Sequence, residues 1–131
     1  MNKILVEVSV GELFDKISIL KIKKSKIKDK NKLNEIKREL ESLNKTLKKN
    51  KLNKVDSFLK KSIKNLANIN FELWKIEDQK RKCEKNKDFG NKFIKLSRKV
   101  HFKNDERAKI KHKINVHTGS MITEVKEYTG Y

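Results

Sequence analysis

A chain of 131 residues with 40% charged and 35% hydrophobic content and a formal charge of +18 is long enough for one modest core, and it is too polar for a thick sheet-and-helix interior. Its single cysteine excludes an internal disulfide, no run reaches the roughly 18 apolar residues of a membrane span, and MNKILVEV meets Glu7 too early for a signal peptide. The expectation is one cytoplasmic helical domain, residues 1–131, with no membrane association.

In chain order, KILVEV at 3–8 reads as an extended or β-prone segment. SVGE at 9–12 is a capping box, with Ser9 placed to accept the amide of Glu12 and Glu12 to reach back. A first helix then runs to about Lys28, with Leu13, Ile17, Leu20 and Ile27 on one face; Ile19 and Ile22 on another face predict a second apolar neighbour. Asp29 or Asn31 can cap a second helix, whose seam Leu33, Ile36, Leu40, Leu43, Leu47 has the narrow spacing of a coiled coil. A hairpin folded near residue 29 pairs Ile27 with Leu33, Leu20 with Leu40, Ile17 with Leu43 and Leu13 with Leu47.

A third helix is predicted from about Asp56 to Lys85, roughly 45 Å at 1.5 Å per residue. KDFG at 87–90 breaks it, with Asp88 able to cap a fourth helix from about Asn91 to Asn115. HTGS interrupts again, and MITEVKEY is extended or a short strand that could pair with KILVEV as a ribbon. The fold class is therefore all-α: an antiparallel bundle of two helical hairpins, four helices in all, with short extended or β segments at both termini. Folding the second hairpin near residue 89 sets Asn70 level with about Ala108 and Glu77 level with about His101. With Leu33 level with about Leu73, the first two helices cover the third only to about Trp74, and residues 77–101 project as a two-helix arm. Trp74, Ile76, Phe89, Phe93, Ile94, Leu96 and Val100 on that arm predict a partner surface, met by a homodimer.

The fourth helix raises the functional question. Asn104, Arg107 and Lys111 follow Phe93, Leu96 and Val100 along one face, and Asn70 interrupts the seam of the third helix. An unpaired charge inside the body would cost several kcal/mol. These side chains must therefore meet a carboxylate such as Glu72, Asp78 or Asp15, or line a cleft that accepts a phosphate or carboxylate. Glu77, Arg81 and Glu84 continue the third seam onto the arm, where they can equally be exposed intrahelical pairs of about 0.2–0.5 kcal/mol each.

The charge itself invites a nucleic-acid reading. Yet only four of the 35 basic residues are arginine, isoleucine and asparagine are abundant, alanine is rare and proline absent, a pattern that AT-rich codons produce without selection for charge. Specific nucleic-acid binding is not expected, although loose, salt-sensitive polyanion binding is. His101, His112 and His117 lack metal-ligand spacing and Cys83 has no thiol partner, so neither a metal nor a cofactor is expected. Glu12 and Asp15 form the ExxD of helical magnesium-dependent pyrophosphohydrolases without its ExxE partner. Arg81, Arg98, Arg107 and Lys111 loosely match the cations with which small helical chorismate mutases bind a dicarboxylate.

ILVEVSVGELFDKISILKIK, LWKIEDQKRKCEKNKDFGNKFIKLSRKV, NDERAKIKHKIN and GSMITEVKEY together resemble, in order and over about Ile4 to Tyr128, a small bacterial and viral family known only as a domain of unknown function. The resemblance implies a complete domain and carries over no catalytic residues. The resulting expectation is a binding or interaction module. Its ligand-binding candidates are Arg107, Lys111, Asn104 and Asn70, with Arg81 and Glu77 as outer members. A metal-dependent or chorismate-mutase-like enzyme and a basic nucleic-acid-binding protein are the alternatives.

Overall fold

Ser9 accepts the backbone amide of Glu12 at 3.1 Å and opens α1 (Val10–Lys26). Asp29 caps α2 (Lys30–Lys49) through the amide of Lys32 at 2.9 Å, and Asp56 caps α3 (Ser57–Lys85) through that of Leu59 at 2.8 Å. Only α4 (Asn91–Thr118) begins without a side-chain cap: Asp88 accepts the amide of Gly90, tightening the turn rather than closing the helix. The fourth helix also runs one turn past the expected Asn115, ending at Gly119 in the left-handed conformation that glycine tolerates without steric cost. These elements come from a computed structural model, which describes residues 2–131.

The four helices form a bundle with α1 at its centre, packed against α2, α3 and α4. The expected pairing of α1 with α2 is present. Leu13, Ile17, Leu20, Ile36 and Leu40 are buried together, with Ile27, Leu43 and Leu47 packed on them. A second cluster, Phe14, Leu59, Leu66 and Ile114, joins α1 to α3 and α4. Leu66 and Ile114 at its centre are fully buried, each contributing about 1.5–3 kcal/mol by leaving water. His117 meets Asp56 at 2.6 Å and stacks on Phe58, fastening the end of α4 to the start of α3.

Three expectations are corrected. First, α2 lies beside α1 alone, so of the first two helices only α1 covers α3. A single narrow apolar stripe can satisfy only one neighbour, and α2 spends its stripe on α1. Second, no strand occurs among the described residues, and the two termini form no ribbon. Residues 2–8 are exposed, while the carboxy-terminal segment runs back along α4: Ser120 accepts the amide of Val10, Glu124 reaches Lys111, and Tyr131 bonds Asp105 and packs on His101 and Phe102. Third, the arm hides most of its own apolar residues. Ile76, Cys83 and Leu96 are buried between α3 and α4, with Phe93 and Val100 packed on them, leaving Phe89 and Ile94 about half exposed. No described helix is long and apolar enough to cross a membrane.

Candidate functional site

Gly11, Asp15 and Ser18 recur at helical spacing on the face of α1 turned toward α3 and α4, and all three are buried. Asp15 is wholly buried and is the hub of the site. Its Oδ1 accepts the Asn70 amide at 2.8 Å and the Arg107 Nε at 3.0 Å, and its Oδ2 accepts both Arg107 Nε and a terminal guanidinium nitrogen. This is the forked arginine–carboxylate geometry in which a planar donor outperforms an ammonium. Asn70 also donates to Ser18 Oγ at 3.2 Å, so one amide ties α3 to two turns of α1.

One turn further along α4, Lys111 Nζ donates to Glu12 Oε2 at 2.6 Å and to Glu124 Oε2 at 2.9 Å, and stands 3.5 Å from Asp15. Glu12 is thus turned away from the expected capping box toward a cation. The next two free amides of the helix start are met from beyond α1: Asn115 Oδ1 accepts the amide of Gly11 at 2.6 Å and Ser120 Oγ that of Val10 at 3.1 Å. Together with Ser9, these groups satisfy the first three free amides of α1.

Two cations therefore face three carboxylates, and among the described residues no buried side-chain nitrogen or oxygen lacks a partner. Burial alone would raise the Asp15 pKa, but the Arg107 guanidinium, the Asn70 amide and the Lys111 charge outweigh it and hold the carboxyl below its ordinary range. Burial likewise works against the charge on Arg107 and Lys111, yet bonding to Asp15 for the first and to Glu12 and Glu124 for the second leaves both more basic than usual. The Lys111 bond, foremost, lowers the Glu124 pKa.

Of the residues singled out from sequence, the structure brings together Arg107, Lys111 and Asn70. Asn104, one turn before Arg107 on α4, instead lines a shallow recess of about 1150 Å³ between that helix and the carboxy-terminal segment. Arg81 and Glu77 pair with each other at 2.9 Å on the exposed arm, away from the network. Replacing both with alanine is expected to change urea stability by no more than about 0.5 kcal/mol. The four cations matched to chorismate mutases do not converge, since Arg98 lies over the Phe102 ring and Arg81 faces Glu77. No group of three or more His, Cys, Asp and Glu side chains among the described residues is placed to hold a metal ion.

Glu124, Asn115 and Gly11 were not singled out from sequence. Asn115 had a signal, since it extends the polar line of Arg107 and Lys111 by one more helical turn. Gly11 also had one: it sits inside a helix with no turn to make. Glu124 had none, because its meeting with Lys111 depends on the path of an irregular segment.

Beside Lys111 opens a cavity of about 310 Å³ between α4 and that segment, lined by Lys109, Lys111, His112, Lys113, Lys126 and Glu124 with Ala108 and Asn115. Glu124 is its one acid, and that acid is already bonded to Lys111.

No curated protein and no solved structure matches the chain. Residues 4–131 match a family described as Family of unknown function (DUF6165), and the chain, spanned over nearly its whole length, belongs to that family.

Proposed function

We propose that the protein is a binding module that accepts a small anionic group, a phosphate or a carboxylate, at the Lys111 ammonium, and that Glu124 holds the ligand's place in the free protein. One observation carries this reading: the cavity beside Lys111 has four lysines and a histidine on its walls, and its single carboxylate sits on the lysine that an incoming anion would contact. Arg107 and Asn70 have a positioning role here. They are engaged with Asp15, whose negative charge lies 3.5 Å from the Lys111 ammonium and helps to hold it at the cavity wall. Asn104 and the outer pair Arg81 and Glu77 do not line that cavity.

The test is a phosphate titration at constant ionic strength, read by thermal stability and by amide shifts. Glu124→Gln removes the competing carboxylate, so half-saturation is expected at about tenfold lower phosphate, the equivalent of ~1.4 kcal/mol. Lys111→Met is expected to abolish the response. Identical curves for the wild type and Glu124→Gln, or a response that chloride reproduces at matched ionic strength, would overturn the reading.

The proposal places the protein in the cytoplasm, where a buried free thiol such as Cys83 stays reduced. It also includes a homodimer joined through the arm tip, supported by the half-exposed Phe89 and Ile94. That support is smaller than the arm's sequence suggests, because α3 and α4 bury Ile76, Cys83 and Leu96 between themselves.

A further inference from the structure

Because α2 and α3 both rest on α1 without meeting each other, a groove runs between them with α1 as its floor. Its volume is about 580 Å³, within the range of sites that take an organic ligand of modest size. Phe14, Ile17 and Ile22 form the floor, and Leu47, Leu52 and Ile63 form the walls. The lining extends from Phe14 to Ser25 along α1, about 17 Å at 1.5 Å per residue.

The polar residues around this apolar trough are one-sided. Lys21, Lys60 and Lys64 line it, with neutral serines and asparagines, and none of the chain's 17 acidic residues does. The three lysines are therefore unopposed by any carboxylate of the lining. Nor does the groove share a lining residue with the cavity beside Lys111.

We propose that this groove binds an amphipathic organic anion: an unbranched or aromatic apolar body laid along α1, with one carboxylate or phosphate head held by the lysine rim. The apolar walls give the affinity and the unopposed lysines select the sign of the head. A second copy of this chain is a poor occupant by the same criterion, since it would bring its own surplus of positive charge. This inference does not depend on the function proposed for Lys111.

The experiment is a calorimetric and NMR titration of the full chain with dodecanoate, kept below its micelle concentration, alongside dodecyltrimethylammonium. Dodecanoate is expected to bind at one saturable site, with shifts centred on Ile17, Leu47 and Ile63, and at least tenfold more tightly than the cation. Asn44→Trp changes an exposed lining residue and so leaves folding intact while its ring fills the trough; it is expected to weaken dodecanoate at least tenfold. The double variant Lys60→Gln, Lys64→Gln should narrow the preference for the anion over the cation. Equal affinity for the two amphiphiles would overturn the proposal, as would binding indifferent to Asn44→Trp or shifts centred on Phe89 and Ile94. Dodecanoate affinity that falls as protein concentration rises, with a dimer detected by sedimentation, would overturn it in favour of a second copy.

Discussion

Replacing Asp15 with leucine is expected to lower stability by about 3–5 kcal/mol, the range for removing one partner of a buried ion pair. The size follows from what is left behind. Arg107 loses every carboxylate oxygen it bonds, Asn70 loses one of its two acceptors, and Lys111 loses the charge 3.5 Å away. Leucine has the volume to fill the space but cannot accept a hydrogen bond from any of them. Urea unfolding followed by circular dichroism measures the loss. The pH dependence has a definite sign. The Asp15 pKa is lower in the folded state than in the unfolded state, so its stabilisation is fully present above the unfolded value of about 3.9 and is lost as pH falls through the folded value. The gap in urea midpoint between wild type and Asp15→Leu is therefore expected to be constant above about pH 5 and to shrink at lower pH.

Gly11→Ala is expected to be destabilising by about 1–3 kcal/mol, against a gain of roughly 1 kcal/mol from helix propensity alone. A Cβ at this position would stand 2.6 Å from the Lys111 carbonyl oxygen, 3.1 Å from its carbonyl carbon and 2.9 Å from Asn115 Oδ1. Two of these three atoms are backbone, so no side-chain rotation relieves the clash; α1 and α4 must separate. That separation would also lengthen the bond from the Gly11 amide to Asn115 and draw Lys111 away from Glu12. Thermal unfolding of Gly11→Ala, compared with an alanine placed at exposed Lys16 of the same helix, isolates the steric effect.

Much of the fold could be read from the chain because its helices announce themselves twice, by period and by cap. Ser9, Asp29 and Asp56 each accept an amide three residues on, and Ile36, Leu40, Leu43 and Leu47 of α2 share one cluster with the apolar face of α1. The inward turn of Asn70, Arg107 and Lys111 was legible for a related reason: a polar residue on a seam has only a few places to go. Which partner closes the network was harder to see. Asp15 sits off the main apolar stripe of α1, and that stripe faces α2; its importance emerges only once α1 is known to be surrounded by three helices. The path of residues 119–131 has no periodicity to read. It is fixed by scattered contacts from Ser120, Glu124 and Tyr131, each with a residue far back along the chain or about two to four turns down α4. The arm misleads in the opposite direction, because two helices with small and apolar residues at Cys83 and Leu96 can close on each other without outside help.

The most direct measurement is a double-mutant cycle on Asp15→Leu and Arg107→Met, with stabilities taken from urea unfolding at neutral pH. If the half-buried guanidinium and the wholly buried carboxylate are mutual counter-ions, each single change leaves a charge without its partner, while the double variant removes both and leaves Lys111 with Glu12 and Glu124. The double variant should then be more stable than Asp15→Leu alone, with a coupling of about 2–3 kcal/mol. Losses that simply add would contradict the account, because they would mean that Asp15 and Arg107 do not meet in the folded protein.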